Sequence, residues 1–127
     1  MRDLYDRARQ SWGGATIDLI AGGTVPDGID MYAVAVTSAY GDTLKIPEDA
    51  SYEQFVSAYD QARAAFRNAG WLGIFHDDND KTIHFDAVTV TTREGVDYLY
   101  STGIYPVDGG AYHFATGKGY WPQRSMK

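Results

Sequence analysis

The chain has 127 residues, 44% of them hydrophobic and 22% charged, which is typical of a folded domain and excludes disordered and fibrous proteins. We therefore expect residues 1–127 to form a single domain. No cysteine is present, which excludes disulfide frameworks, thiolate metal sites and cysteine nucleophiles, and fits a reducing cytosol.

The net charge is −6, and the acidic residues are concentrated in two stretches. Residues 18–60 hold eight acids against Lys45, and residues 77–108 hold seven acids against Lys81 and Arg93. This balance disfavours direct nucleic-acid binding, which relies on basic side chains. The acidic surface either keeps the protein in solution or engages a basic surface of another protein.

No segment is typical of a signal peptide or a membrane span. Residues 1–7 lack an apolar stretch, and the longest run without charge, residues 31–41, is shorter than the roughly 20 apolar residues that cross a bilayer. We expect a soluble, cytoplasmic protein without membrane contact.

The first part of the chain predicts a short helix followed by three strands. Apolar residues at helical spacing, Leu4, Tyr5, Ala8 and Trp12, indicate a helix over residues 3–11, ended by two glycines. Residues 15–20 are typical of a strand. Alternation over residues 31–38 predicts a second strand, and residues 43–46 predict a third. The last two strands are expected to pair as an antiparallel hairpin.

The long helix that follows has the clearest pattern in the sequence. Ser51 and Gln54 have the spacing of a capping box, and Gly70 is the expected stop. The predicted buried stripe comprises Tyr52, Phe55, Val56, Tyr59, Ala62 and Phe66.

Two strands, a helix and a final strand complete the predicted order. Residues 71–76 and 81–91 are expected to pair across a turn at residues 77–80. Ile83 and Phe85 have opposite parity to Val88 and Val90, which predicts a bulge near residues 86–87.

The C-terminal part predicts a helix, a loop and a strand. The helix begins at Thr91–Glu94 and ends at Gly103, a loop covers residues 106–110, and the last strand covers residues 111–115. The strands come in hairpins, which favours an α+β fold. We expect a mostly antiparallel sheet of about five to six strands, with one long and two short helices packed on it.

The residue spacings in the sequence match none of the catalytic and metal-binding motifs considered below. Residues 77–80 lack the later glycine and glutamate of a calcium loop. His76, His84 and His113 have no metal-binding spacing and are expected to be polar surface residues of strands. Glycine-rich turns near the C-terminus match no phosphate loop, and no serine lies in a nucleophile elbow. We expect no metal or other cofactor, and identify no catalytic residue.

The unusual feature is a concentration of aromatic residues near the C-terminus. Seven lie within 24 residues: Tyr98, Tyr100, Tyr105, Tyr112, Phe114, Tyr120 and Trp121. They either pack the core or form a binding surface, since tyrosine and tryptophan are enriched at interfaces.

A binding surface is predicted at Tyr112, His113, Tyr120 and Trp121, in the last strand and the tail that follows it. Within that strand, His113 is expected to point to the face opposite Tyr112. We expect Phe114 to be buried and Tyr112 to be largely buried. At least one of Tyr120 and Trp121 is expected to stay partly exposed.

Three segments carry a family resemblance: Trp12–Asp18, Gly110–Pro122 and Ile74–Tyr100. They resemble small uncharacterised proteins of actinobacteria and of their phages or mobile elements. The resemblance implies no activity and no functional residues.

Two functions follow as hypotheses. The first is a non-enzymatic protein-binding module with an acidic, aromatic-rich surface, such as a mobile-element accessory or inhibitor. The second is a small enzyme or small-molecule binder with an aromatic cleft near the last strand. An exposed aromatic patch favours the first, and a deep polar cleft holding a histidine or carboxylate favours the second.

Overall fold

The structure, a computed structural model, describes residues 1–102 and 110–122. Its helices are α1 (Arg2–Ala8), α2 (Tyr52–Phe66) and α3 (Arg93–Thr102). Its strands are β1 (Gly14–Asp18), β2 (Tyr32–Ala35), β3 (Leu44–Pro47), β4 (Trp71–Asp77), β5 (Thr82–Thr91), β6 (Ala111–His113) and β7 (Lys118–Tyr120). The predicted helix end at Gly103 and most of the loop at residues 106–110 lie outside the described residues.

The seven described strands form one antiparallel sheet in the order β1-β4-β5-β2-β6-β7, and β3 pairs with β5 beside this path. The three helices pack on one face of the sheet around a shared core, which confirms the α+β prediction. The additional strand is β7, where the sequence predicted only the turn and tail after the last strand.

The capping box of α2 is confirmed. The backbone N–H of Gln54 donates to Ser51 Oγ at 3.1 Å, and the backbone N–H of Ser51 donates to Gln54 Oε1 at 2.8 Å. The buried face of the helix is Phe55, Ala58, Tyr59, Ala62 and Phe66. This face packs on the side chains of β5 that point towards the helices, including Ile83 and Phe85.

The predicted hairpin between residues 31–38 and 43–46 is wrong. Both strands pair with β5 instead, β2 along its end at residues 88–91 and β3 along its start at residues 82–85. The chain therefore follows one side of β5 with an interruption at residues 36–43. A 3₁₀ turn at Thr37–Ala39 begins that interruption.

The predicted bulge near residues 86–87 is also absent. The pairing of β4 with β5 runs without a break from Trp71↔Val88 to Asp77↔Thr82. Val88 instead points away from the helices into a second small cluster with Ala33 and Phe114. Ile83 and Phe85 therefore pack in the core on the helix side, whereas Val88 and Val90 pack in the small cluster on the opposite face.

Candidate functional site

The sheet face opposite the helices carries a groove of about 770 Å³, a volume in the range of ligand sites. Its floor is built from small side chains, including Gly73 of β4 and Ala33 and Ala35 of β2. Side chains alternate between the two faces along a strand, so the residues next to these three point to the helix side. Because the three residues on the groove side are small, the floor of the groove lies below its rim.

Exposed aromatic side chains surround the groove. Trp12 is 53% exposed, Phe75 41%, Tyr112 43% and Trp121 68%, and all four line it. We call Trp12 and Phe75 the first aromatic end, and Tyr112 and Trp121 the second. Burying such large rings on binding is favourable, which makes this face the candidate site.

Trp121 is positioned by two glycines. A Cβ atom on Gly110 would lie 2.3 Å from Trp121 Cε2, and one on Gly119 would lie 2.5 Å from its Cζ3. The indole therefore lies directly against backbone at both positions, and a side chain at either position would have to displace it. One side of the ring is supported while the residue remains largely exposed.

Trp12 is held by the turn between β4 and β5. The Asp78 carboxylate accepts hydrogen bonds from the Ser11 hydroxyl and, at 3.1 Å, from the Trp12 backbone N–H. The Ser11 hydrogen bond holds the pKa of the Asp78 carboxyl below its ordinary value, against a smaller opposing effect of desolvation. The Trp12 ring lies 5.7 Å from that of Phe75.

His76 ties the same segment to β4. Its Nδ1 lies 2.8 Å from the Gln10 carbonyl, which only accepts, so Nδ1 carries the proton. Its Nε2 lies 3.8 Å from Glu48 and 3.7 Å from Asp78. The expectation of a surface histidine is wrong here, since His76 is buried.

Asp86 places a carboxylate in the groove. Its Oδ1 accepts hydrogen bonds from the hydroxyls of Thr37 at 2.8 Å and Thr43 at 2.5 Å. These bonds attach the segment between β2 and β3 to β5. Thr37 Oγ1 in turn accepts from the Ala87 backbone N–H at 3.1 Å. His84, two residues before Asp86, points to the same face.

The residues predicted as a binding surface are divided between the two faces of the sheet. Tyr112 and Trp121 line the groove, whereas His113 and Tyr120 do not line it. The His113 ring stacks on Tyr32 at 4.2 Å on the helix side of the sheet, and its Nε2 lies 2.8 Å from Asp30.

Tyr120 is engaged with helix α3. It donates to Asp97 at 2.5 Å, and the Arg93 guanidinium lies 4.3 Å from its ring centroid. The hydrogen bond with Tyr120 raises the pKa of Arg93 above its ordinary value. These contacts give Tyr120 a structural role between β7 and α3.

The expected exposures are partly confirmed. Phe114 is buried, as predicted, and the exposure of Trp121 confirms that at least one of Tyr120 and Trp121 stays accessible. The expectation for Tyr112 is wrong, because its neighbour across the strand pair is Gly119, which has no side chain to cover it.

Sequence reasoning missed Trp12, Phe75 and Asp86 as groove residues. Trp12 was expected to belong to the apolar stripe of the first helix, and Phe75 to a short apolar strand. The alternation of Trp71, Gly73 and Phe75 could have indicated the groove. Alternate residues of a strand share a face, so these positions place two aromatic rings on either side of a glycine on one face of the sheet.

One cluster has the composition of a metal site. Asp77, Asp80 and His84, which we call the turn cluster, offer ligand atoms within 4.8 Å of one another. However, the Lys45 ammonium lies 3.6 Å from Asp80 Oδ2 and already supplies a positive charge. Hydrogen bonding from the Thr82 hydroxyl is the main cause that lowers the Asp80 pKa.

Comparisons with protein-family models, with curated proteins and with solved structures found no match to the chain. Within residues 1–102 and 110–122, no helix has the length and apolar character needed to cross a membrane.

Proposed function

We propose that the protein is a binding module whose groove takes an extended peptide segment of a partner protein. The observation that carries this proposal is the presence of exposed, supported aromatic rings at both ends of the groove. Large aromatic side chains in such positions are the usual anchors of protein interfaces.

The separation of the two aromatic ends favours an extended ligand. Phe75 pairs with His84, whereas Tyr112 pairs with Ala33, which pairs with Val90. Along β5 the ends are therefore six residues apart, or about 20 Å at the usual rise of a strand. They are also three strand spacings apart across the sheet, or about 14 Å. A peptide of several residues spans this distance, and a small molecule contacts one end.

Selection from a defined library tests the proposal. A displayed library of random nonapeptides is panned on the immobilised protein, and enriched peptides are synthesised with a fluorescent label for anisotropy titrations. Enrichment of peptides that carry apolar or aromatic residues is the expected result. Failure to enrich any peptide over a blank surface contradicts the proposal.

Variants locate the binding. Trp12→Ala and Trp121→Ala are each expected to weaken the selected peptides at least about tenfold, equivalent to 1.4 kcal/mol or more. Tyr98→Ala is the matched control, since Tyr98 is an exposed aromatic residue that does not line the groove. Equal affinity in all three variants would show that the peptides bind elsewhere.

A small-molecule site at the first aromatic end is the second candidate. Asp86 and His84 lie on the floor towards this end and give it the polar groups that orient small ligands. Selected peptides that respond to Trp12→Ala but not to Trp121→Ala would favour this function over the extended one.

A further inference from the structure

We infer that the segment bound in the groove carries one arginine or lysine, whose cationic group pairs with Asp86. This inference rests on the proposed function and specifies the chemistry of the partner. It follows from the position, the hydrogen bonds and the charge surroundings of the Asp86 carboxylate.

Asp86 lies in the middle of the sheet rather than at its edge. Its strand, β5, is flanked by β4 on one side and by β2 and β3 on the other. Opposite Asp86 in β4 is Gly73, which contributes no side chain to cover it. A group that enters the groove therefore reaches the carboxylate across a low floor.

The hydrogen bonds of Asp86 leave one oxygen for a ligand. The hydroxyls of Thr37 and Thr43 both donate to Oδ1 and fix the orientation of the carboxylate. Oδ2 has no hydrogen bond within the part of the chain that the structure describes. A carboxylate oriented in this way is suited to a charge-assisted hydrogen bond with an ammonium or guanidinium group.

No basic side chain in residues 1–102 and 110–122 forms an ion pair with Asp86. Two ion pairs of lysine or arginine and five close contacts between a histidine and a carboxylate are found among the described residues, and Asp86 belongs to none of them. Asp80, by contrast, is paired with Lys45 and with His84. A cation from the ligand would supply the missing partner.

The surroundings indicate a single cation rather than a polybasic segment. Arg7 lines the groove and disfavours a second positive charge near it, whereas Asp27 and Asp86 are the acids of the lining. Exposed faces of Phe75 and Trp12 would also attract a cation placed beside them. The expected ligand pattern is one basic residue flanked by apolar or aromatic residues.

The test compares charged and neutral forms of one ligand. An arginine-containing peptide from the selected pool is synthesised again with citrulline in place of arginine, which keeps the shape and removes the charge. On the wild-type protein we expect affinity to fall at least tenfold with citrulline. On Asp86→Asn we expect the two peptides to bind within threefold of each other.

The control variant removes an acid elsewhere. Asp60→Asn changes the net charge equally on the exposed side of α2, so the preference for arginine should persist in it. In Asp86→Asn the amide oxygen of the new side chain can still accept from both threonines, and a thermal melt checks that this variant folds. If it does not fold, the citrulline comparison on the wild-type protein decides the inference.

The outcomes separate the inference from the proposed function. Enriched peptides without a basic residue, or peptides that bind equally with citrulline, overturn the inference and leave the groove as a peptide site. Equal loss of the arginine preference in Asp60→Asn would attribute it to net charge and also overturn the inference. Absence of any enriched peptide overturns the proposed function itself.

Discussion

Replacing Phe55 by alanine tests the core that supports the groove from the opposite face of the sheet. Phe55 is fully buried, and its ring lies 5.3 Å from Tyr5 of α1 and 5.5 Å from Phe85 of β5. It therefore joins two helices to the central strand. Truncation of such a side chain costs about 3–5 kcal/mol, which includes the cavity that is left.

The structure places this variant in the upper part of that range. Each of the two ring contacts contributes about 0.5–1.5 kcal/mol beyond the buried area, and both are lost. Since domains of this size are stabilised by about 5–15 kcal/mol, Phe55→Ala should remove a large share of the stability. Phe66, which is 2% exposed on the same helix, should show a loss of similar size.

Urea unfolding followed by circular dichroism measures the loss. Phe75→Ala is the matched control, because Phe75 is 41% exposed on the groove side and should cost about 1 kcal/mol or less. A cost under about 1 kcal/mol for both Phe55→Ala and Phe66→Ala, with an unchanged dependence on urea, would refute the orientation of α2.

Three further predictions concern the groove and its supports. With Trp12 and Trp71 replaced by Phe, emission from Trp121 should be red-shifted and readily quenched by iodide; blue-shifted, unquenched emission would remove it as an anchor. Asp78 has a lowered pKa when folded, so its contribution is present above its ordinary value of 3.8 and is lost as the pH falls through the lower folded value. The difference in melting temperature between wild type and Asp78→Asn should therefore shrink on acidification below 3.8, and a constant difference would contradict this role. Calorimetric titration with calcium or zinc should show no stoichiometric binding at the turn cluster, whereas a tight, saturable signal would overturn that prediction.

Local features of the sequence predicted α2 well. Its capping box and its stripe of buried residues involve positions three and four apart, so the physical causes are visible within one short segment. Tyr52 and Val56 were expected in the stripe but are only partly buried, whereas Ala58, which was not expected there, is buried. The core therefore covers a face of the helix rotated towards Ala58.

Strand pairing could not be predicted in the same way. Residues 31–38 and 43–46 are close in sequence, which favoured a hairpin between them. Both strands instead pair with β5, which lies much farther along the chain. The ten residues of β5 are enough to pair with two short strands on one side. Between those strands, the hydroxyls of Thr37 and Thr43 donate hydrogen bonds to the Asp86 carboxylate.

The groove could not be predicted from the sequence, because its prediction requires the face of the sheet on which each side chain lies. The predicted bulge assumed that all apolar side chains of β5 share one core, whereas Val88 belongs to a second cluster on the other face. Trp12 and Trp121 lie far apart in sequence and meet the same groove only because β1 and β7 belong to one sheet. Composition identified the C-terminal aromatic residues but not the side of the sheet on which each would lie.

The most direct test of the groove as a peptide site is a nuclear magnetic resonance titration of the labelled protein with a selected peptide. If the peptide occupies the groove, the largest shifts should occur at the backbone amides of Gly73, Asp86 and Gly119 and at the indole N–H groups of Trp12 and Trp121. Amides on the exposed side of α2 and near Tyr98 should change little. Shifts concentrated on the helices, with those groove signals unchanged at saturation, would show that the peptide does not bind in the groove.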